Sequence, residues 1–319
     1  MLSLGDTYRM VGDFNLAVKS YTNAVEIAKQ IRAPITPADA RVGLGLSLRA
    51  MGNWKDAIKL IGEAKKTYRR EGDRQGLAFT LWAEAGTLRI KGDITTAINT
   101  FREARKMFNS LKDVHGTGYC LCGLGGTSRI AGRFRSSLKY YTSANRLFSG
   151  IKDRFGTAYS YCGMGNAFRM IKDYERALAN FRKAVRLYKK FGDRVSYSYT
   201  LWSLGTTYKM IGNFSKARDN FMRAMRLFKK TKDPRGIIYC RLGLGEIALL
   251  DGDDTAARKH LSASLHASTK YGFAVEKCHA KTLRAYMNSK RGFFRKIDNG
   301  CYNRLGLKLS FRGLPLNIP

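Results

Sequence analysis

Residues 198–232 read SYTLWSLGTTYKMIGNFSKARDNFMRAMRLFKKTK and contain two helical patterns on either side of a turn. Tyr199, Trp202 and Tyr208 belong to the first pattern, which ends before Gly212, and the second pattern ends near Lys232. Apolar residues recur in both at helical spacing, so each helix has an apolar face that it cannot bury alone. The stretch therefore predicts two antiparallel helices that pack on each other and on neighbouring copies.

The turn glycine of this unit recurs every forty residues along the chain. The glycines in this column are Gly12, Gly52, Gly92, Gly132, Gly212, Gly252 and Gly292, and Lys172 takes the one remaining place. A period that holds without insertion is typical of repeats that stack in one fixed geometry. We therefore expect an all-α solenoid of helix-turn-helix repeats. Seven tandem repeats would cover residues 1–272, the first of them truncated at its N-terminus.

Small residues recur inside the predicted helices, although glycine destabilises a helix by roughly 1 kcal/mol relative to alanine. In the first helices the column is Gly5, Gly45, Gly125, Gly165, Gly205 and Gly245. In the second helices it is Ala24, Ala64, Ala104, Ala144, Ala184 and Ala224. We expect the helices to approach each other closely at these positions.

Aspartates recur between the units, just ahead of each first helix. The column is Asp73, Asp113, Asp153, Asp193 and Asp233. An aspartate in this place accepts hydrogen bonds from the first free N–H groups of a helix, so we predict that these residues are N-caps. At the first junction the candidate cap is Thr36, and Pro37 suits the first helical turn.

The pattern LGxxY at 204–208, followed by AxxxFxxA at 217–224, resembles the signature of the tetratricopeptide repeat (TPR). The same frame fits MGxxF at 164–168, and the resemblance extends over about residues 1–270. A forty-residue unit is similar to the repeats of Pins-type spindle adaptors, kinesin light chains and some bacterial regulators. The resemblance implies a right-handed superhelix whose first helices line a concave groove.

The chain departs from the repeat towards its C-terminal end. Residues 273–306 keep a small residue, Ala285, and the turn Gly292-Phe293-Phe294, and we interpret them as a degenerate eighth repeat or as capping helices. Residues 307–319 no longer follow the pattern, and we expect an irregular tail there.

The chain is strongly basic, because 58 Lys and Arg against 24 Asp and Glu give a net charge of +34. Such an excess favours anionic partners: acidic peptides, nucleic acid or anionic lipid surfaces. The alternative is a generally basic proteome, or a crowded setting that supplies the counter-charge. The sequence has no apolar run long enough to span a membrane and no visible signal peptide, so we expect a cytoplasmic protein.

The cysteines and histidines of the sequence do not indicate a site. Cys122 and Cys162 share one repeat column, and Cys120 and Cys240 share another. We therefore interpret the six cysteines as packing residues and expect no disulfide framework, no metal site and no cofactor. The sequence also lacks paired catalytic acids and a Ser/His/Asp arrangement, so we predict that the protein is not an enzyme.

Four columns share one face of the first helices, because positions i, i+3, i+7 and i+10 lie on the same side of a helix. They are aromatic (from Phe79 to Tyr239), mixed (Trp82, Cys122, Cys162, Trp202), small or polar (Gly86, Gly126, Asn166, Thr206) and basic (from Arg9 to Lys209). The TPR resemblance places this face in the groove. The candidate ligand-binding residues are Arg9, Arg49, Arg89, Arg129, Arg169, Lys209, Tyr119, Tyr159, Tyr199, Tyr239, Trp82, Trp202 and Asn166.

These columns also have a purely structural interpretation. Aromatic residues at helical spacing commonly pack helices together, and a cation in the last turn of a helix is stabilised by the helix dipole by about 0.3–1 kcal/mol. Asp13, Asp93 and Asp173 each follow an arginine by four residues and are placed to pair with it. A second basic column lies in the second helices, where we expect it on the outer surface: Lys66, Lys106, Arg146, Arg186 and Arg226.

Geometry limits the ligand of such a groove. Packed helices lie about 8–10 Å apart and an extended chain advances about 3.3–3.6 Å per residue, so one repeat matches roughly three residues of peptide. A carboxylate at every third position would meet successive arginines. We favour a non-enzymatic scaffold or adaptor that binds an acidic extended peptide. The alternatives are binding of single-stranded nucleic acid or another polyanion, with bases on the tyrosines, and the sensor solenoid of a larger regulator.

Overall fold

The computed structural model of the protein describes residues 1–30, 35–289 and 297–319. Within these ranges every regular element is a helix, and no strand is found. The helices are α1 (Leu2–Val11), α2 (Phe14–Gln30), α3 (Thr36–Ala50), α4 (Trp54–Arg70), α5 (Arg74–Lys91), α6 (Ile94–Ser110), α7 (Val114–Ile130), α8 (Phe134–Gly150), α9 (Arg154–Met170), α10 (Tyr174–Phe191), α11 (Arg194–Met210), α12 (Phe214–Lys230), α13 (Pro234–Leu250), α14 (Asp254–Lys270), α15 (Ala274–Asn288) and α16 (Gly300–Arg304).

The helices pack in consecutive antiparallel pairs, and each pair stacks on the next. The odd-numbered helices α1 to α15 also contact one another from repeat to repeat, so they form a continuous inner layer. This arrangement confirms the predicted all-α, right-handed superhelical solenoid of TPR-like repeats. The even-numbered helices α2 to α14 form the outer layer, and their basic column from Lys66 to Arg226 is exposed, as predicted.

The glycine column allows the two helices of one repeat to approach closely. A Cβ atom on Gly205 would lie 2.8 Å from the ring of Phe221, and one on Gly125 would lie 2.7 Å from the ring of Tyr141. Both rings belong to the second helix of the same repeat and are buried. The alanine column is buried in every repeat as well. The expectation of close packing at these positions is confirmed.

The aspartate column caps the first helices, as predicted. Asp73 accepts a hydrogen bond of 2.9 Å from the backbone N–H of Gly76, and the other four aspartates make the equivalent bond at 2.7–3.0 Å. The prediction for Thr36 was wrong: Ile35 occupies the cap position without a side-chain hydrogen bond, because the helix already begins at Thr36. Pro37 does lie in the first turn.

The turn glycines of the first two repeats also lie against the far end of the superhelix. A Cβ atom on Gly12 would lie 2.7 Å from the side chain of Thr231, and one on Gly52 would lie 2.7 Å from the ring of Tyr271. The indole N–H of Trp54 donates a hydrogen bond of 2.9 Å to the backbone carbonyl of Tyr271. The first two repeats therefore meet the ends of α12 and α14 along a seam. Through this seam the superhelix closes on itself around its inner layer.

A disulfide joins Cys278 of α15 to Cys301 of α16, with Cα atoms 5.6 Å apart. The expectation that none of the cysteines forms a disulfide was therefore wrong. These two cysteines lie outside the repeat columns, and α16 folds back onto α15. The remaining four are buried or half-buried free thiols inside helices. The predicted turn at Gly292 lies outside the described residues, and the division of the chain at residues 272 and 306 stays a prediction.

Residues 305–319, called here the tail, run back over the inner layer without forming a helix. Leu307 and Leu309 are buried against the middle repeats, and Leu316 and Ile318 are buried against the later ones. A backbone hydrogen bond of 3.1 Å from Lys308 to the carbonyl of Ala131 fixes the course of the tail. The tail is therefore part of the packed structure.

Two kinds of feature are absent from the described ranges. None of their helices has both the length and the apolar character needed to cross a membrane. None of their His, Cys, Asp and Glu side chains gather in groups of three that could hold a metal ion.

Candidate functional site

Two arginines of the predicted basic column, Arg49 and Arg89, reach across the inner layer to the neighbouring repeat. Arg49 ends α3, and its Nη1 atom lies only 2.5 Å from where a Cβ atom on Gly86 would stand. Arg89 ends α5 and has the same relation to Gly126, at 2.8 Å. The small residues of the third column therefore provide space for the guanidinium groups of the preceding repeat. Arg129 ends α7 and continues the series.

These three arginines have no acidic partner in the part of the chain that the structure describes. The Nε atoms of Arg89 and Arg129 are buried and make no hydrogen bond there. Burial lowers the pKa of Arg49 to about 10, and the neighbouring charges of Arg89 and Arg9 lower it further in the same direction. At neutral pH Arg49 therefore remains charged, and none of the three guanidinium groups is compensated by a carboxylate of the described residues.

The predicted pairing with aspartates four residues later is not found. Asp13 and Asp93 accept hydrogen bonds from backbone N–H groups at the starts of α2 and α6. Asp173 pairs instead with Arg176, with an Oδ2–Nε distance of 2.5 Å. A cap geometry turns each of these carboxylates towards its own following helix, away from the preceding arginine. Local pairing therefore does not explain the basic column.

The three arginines line a cavity of about 290 Å³ on the inner layer. The other predicted residues that line it are Tyr159, Asn166, Tyr199, Trp202 and Tyr239. The buried hydroxyl of Tyr188 also borders the cavity and has no hydrogen-bond partner in the described residues. Arg235 lines it too, but the charge of Arg235 is compensated by Glu276 at 2.6 Å. The cavity thus combines uncompensated cations with aromatic walls.

The aromatic column mainly joins neighbouring repeats. The hydroxyl of Tyr199 donates a hydrogen bond of 2.8 Å to the capping carboxylate of Asp233, and its ring packs on Phe228 with centroids 4.7 Å apart. Tyr119 packs on Phe148 with centroids 5.0 Å apart. The packing interpretation is therefore correct for these rings.

The remaining predicted residues lie apart from the cavity. Trp82 and Tyr119 form an edge contact with each other, with ring centroids 6.4 Å apart, nearer the start of the solenoid. Arg9 pairs with Asp6 at 3.2 Å and is partly exposed.

Arg169 and Lys209, the last two members of the basic column, are buried under the tail. Lys209 pairs with Glu246, and its Nζ atom donates a hydrogen bond of 2.9 Å to the backbone carbonyl of Leu316. Glu246 accepts a hydrogen bond from the backbone N–H of Leu316. Arg169 donates to the side-chain oxygen of Asn317, whose amide donates back to the Arg169 carbonyl at 2.9 Å. The tail thus occupies this part of the inner layer.

Burial is the largest cause of the pKa shift of each of these charged groups. It lowers the pKa of Arg169 to about 9, lowers the pKa of Lys209 and raises the pKa of Glu246. Sequence reasoning missed Glu246 and the place of the tail on the inner layer. The available signal was a carboxylate at the next position of the column that contains Asn166 and Thr206, on an otherwise basic face.

Comparisons with known proteins agree with the repeat architecture. Family models for the tetratricopeptide repeat match residues 36–110, 117–190 and 157–230, and another matches residues 1–31. The chain therefore belongs to the tetratricopeptide repeat family. A comparison with curated protein sequences found no match.

Several solved structures share the fold. The Rap conjugation gene regulator of plasmid pLS20, in complex with the Phr* peptide, is 14% identical with a TM-score of 0.71, over 85% of this chain and 73% of its own. NprR in complex with its cognate peptide NprX is 15% identical with a TM-score of 0.69, over 95% and 85%. BtubC (BKLC) from P. vanneervenii is 21% identical with a TM-score of 0.51, over 67% and 90%. At these identities the likeness concerns the fold alone.

Proposed function

We propose that the protein is a non-enzymatic scaffold whose inner layer binds an extended acidic segment of a partner protein. The observation that carries this proposal is the set of Arg49, Arg89 and Arg129, three cations around one cavity without an acidic partner in the described residues. Removing cations from water without compensation is unfavourable. A ligand carboxylate would relieve that cost through charge-assisted, bidentate hydrogen bonds.

The spacing of the arginines suits an extended peptide. They come from successive first helices, which lie about 8–10 Å apart in a packed stack, and an extended chain covers that distance in about three residues. A peptide with Asp or Glu at every third position would therefore reach Arg49, Arg89 and Arg129 in turn. The Tyr159 and Trp202 rings of the same cavity would contact the residues in between.

The solved structures with the same fold support a peptide ligand. The pLS20 Rap regulator and NprR are both seen in complex with peptides. Those complexes concern other proteins and give no indication of an acidic sequence. In this chain the acidic preference rests on the three arginines.

The test is fluorescence anisotropy with a labelled peptide of four Glu-Ser-Gly triplets, compared with four Gln-Ser-Gly triplets. The inner variant replaces Arg49, Arg89 and Arg129 by Glu. Its matched control replaces Lys106, Arg146 and Arg186 of the exposed outer column by Glu and makes the same change in net charge. Because a hydrogen bond to a charged group contributes about 1.5–3 kcal/mol, the inner variant should weaken binding at least about a hundredfold.

The control variant should retain most of the affinity of the unsubstituted protein for the acidic peptide. Its binding should also depend on salt concentration in the same way as that of the unsubstituted protein. An equal loss in both variants would contradict the proposal, because it would mean that only the overall charge matters. A mixed-sequence single-stranded oligonucleotide that displaces the acidic peptide at far lower concentration would instead favour nucleic acid as the ligand. Unchanged far-UV circular dichroism is required of both variants.

A further inference from the structure

The tail meets the inner layer as an extended peptide would. Leu316 offers both of its backbone polar groups to one pair of side chains: its N–H donates to Glu246 and its carbonyl accepts from Lys209 at 2.9 Å. One residue further on, the Asn317 side chain exchanges two hydrogen bonds with Arg169. These hydrogen bonds are made to the backbone of Leu316 and to the side-chain amide of Asn317. They are therefore nearly independent of the apolar side chain that Leu316 carries.

The pair that holds Leu316 is costly to bury. The side chains of Lys209 and Glu246 are only 1% and 0% exposed, and buried ion pairs rarely stabilise a fold more than apolar residues of similar size. Here each charged group satisfies one peptide group in addition to its partner. The arrangement therefore suits the recognition of an extended backbone better than the support of the repeat stack.

The tail fills this place without compensating the free arginines. Residues 305–319 contain Lys308 and Arg312 but no Asp or Glu. Pro319 borders the cavity that Arg49, Arg89 and Arg129 line, and no acidic side chain of the tail lies there. An acidic peptide would gain contacts that the tail lacks.

We propose that Arg169, Lys209 and Glu246 form a peptide-backbone subsite, that residues 314–319 are its internal occupant, and that an extended partner peptide competes with them for it. The competition rests on the proposed function, whereas the subsite itself does not. Binding of a partner would then require residues 314–319 to leave or shift, and the affinity for the partner would be reduced by the fraction of molecules in which the subsite is filled.

The first experiment tests the subsite alone. A variant that ends at Gly313 is mixed with a labelled synthetic peptide of residues 306–319, and binding is followed by anisotropy. We expect saturable binding that is at least about tenfold tighter than to the full chain, where the subsite is already filled. The double substitution Lys209→Met with Glu246→Gln should abolish it. The outer substitution Arg186→Gln serves as the control and should leave it unchanged.

The second experiment tests the competition with the Glu-Ser-Gly peptide. The shortened variant should bind that peptide roughly tenfold to a hundredfold more tightly than the full chain. If the shortened variant does not fold, the full-length double variant Leu316→Gly with Ile318→Gly replaces it and should shift the affinity in the same direction. In that variant the substituted tail should occupy the subsite less often, so the peptide of residues 306–319 should bind there.

The outcomes separate the two proposals. Failure of the peptide of residues 306–319 to bind a folded variant, or binding that survives the Lys209 and Glu246 substitutions, overturns the subsite. Equal affinity of the acidic peptide for the full and altered chains overturns the competition. If the peptide of residues 306–319 binds but the acidic peptide binds no form of the protein, the proposed function fails and the subsite stands.

Discussion

The substitution Gly205→Ala should destabilise the protein, although alanine is the better helix former. A Cβ atom at this position would lie 2.8 Å from the Phe221 ring and 3.2 Å from the backbone oxygen of Ala217. The ring is fully buried and the oxygen belongs to a helix, so neither can move away freely. Overpacking of this kind costs about 1–3 kcal/mol. The gain in helix propensity of about 1 kcal/mol offsets part of that cost.

Gly62→Ala is the matched control, because Gly62 lies inside α4 and nothing stands within 4 Å of its added Cβ atom. It should stabilise the protein by up to about 1 kcal/mol through propensity alone. Both substitutions change the free energy of unfolding through helix propensity, so that contribution cancels when the two changes are subtracted. The remaining difference is the cost of overpacking, which we expect to be about 1–3 kcal/mol. Urea denaturation followed by far-UV circular dichroism measures both. Equal stabilisation by the two substitutions would refute the assignment of the glycine column to close helix packing.

Two further predictions concern parts of the fold outside the cavity. Burial lowers the pKa of His279 from 6.5 to about 4, so the unfolded chain binds this proton at higher pH than the folded protein does. Stability should therefore fall by up to about 3 kcal/mol as the pH drops from 6.5 to 4, and His279→Gln should reduce that slope in urea denaturation. Trp54→Ala removes the hydrogen bond to Tyr271 across the seam. It should cost at least about 1 kcal/mol and increase the radius of gyration in X-ray scattering, and an unchanged radius would argue that the seam does not hold the superhelix closed.

The repeated part of the fold was predictable because each column reports the same local contact many times. The Asp73 column gives the caps, the Gly205 column gives the close approach of paired helices, and both follow from the sequence of one unit. The turn keeps its left-handed backbone conformation where glycine is replaced, since Lys172 adopts a φ of 66°. These features depend on residues fewer than forty positions apart, which the period itself brings together.

The parts that could not be predicted are contacts between elements that the period does not relate. The bond from Trp54 to Tyr271 depends on how far the superhelix turns over the repeats between them, which is the sum of many small rotations. The disulfide between Cys278 and Cys301 and the place of the tail depend on how the irregular end folds back. For the candidate site, the arginine column was predictable, but its division into free and tail-bound members was not.

The two proposals together constrain the ligand more than either does alone. Arg49, Arg89 and Arg129 offer charge without a partner, whereas Lys209 and Glu246 compensate each other and offer hydrogen bonds to a peptide backbone. A peptide that spans both parts of the inner layer must therefore have an acidic segment for the three arginines and a separate neutral segment for the buried pair. Its acidic residues, spaced about every third position, would face the three free arginines, and a neutral, apolar stretch would replace residues 314–319. A carboxylate placed at the buried pair would gain nothing there, because a further negative charge next to Glu246 is unfavourable. The groove should therefore discriminate by the order of acidic and apolar segments in its partner and only partly by total charge.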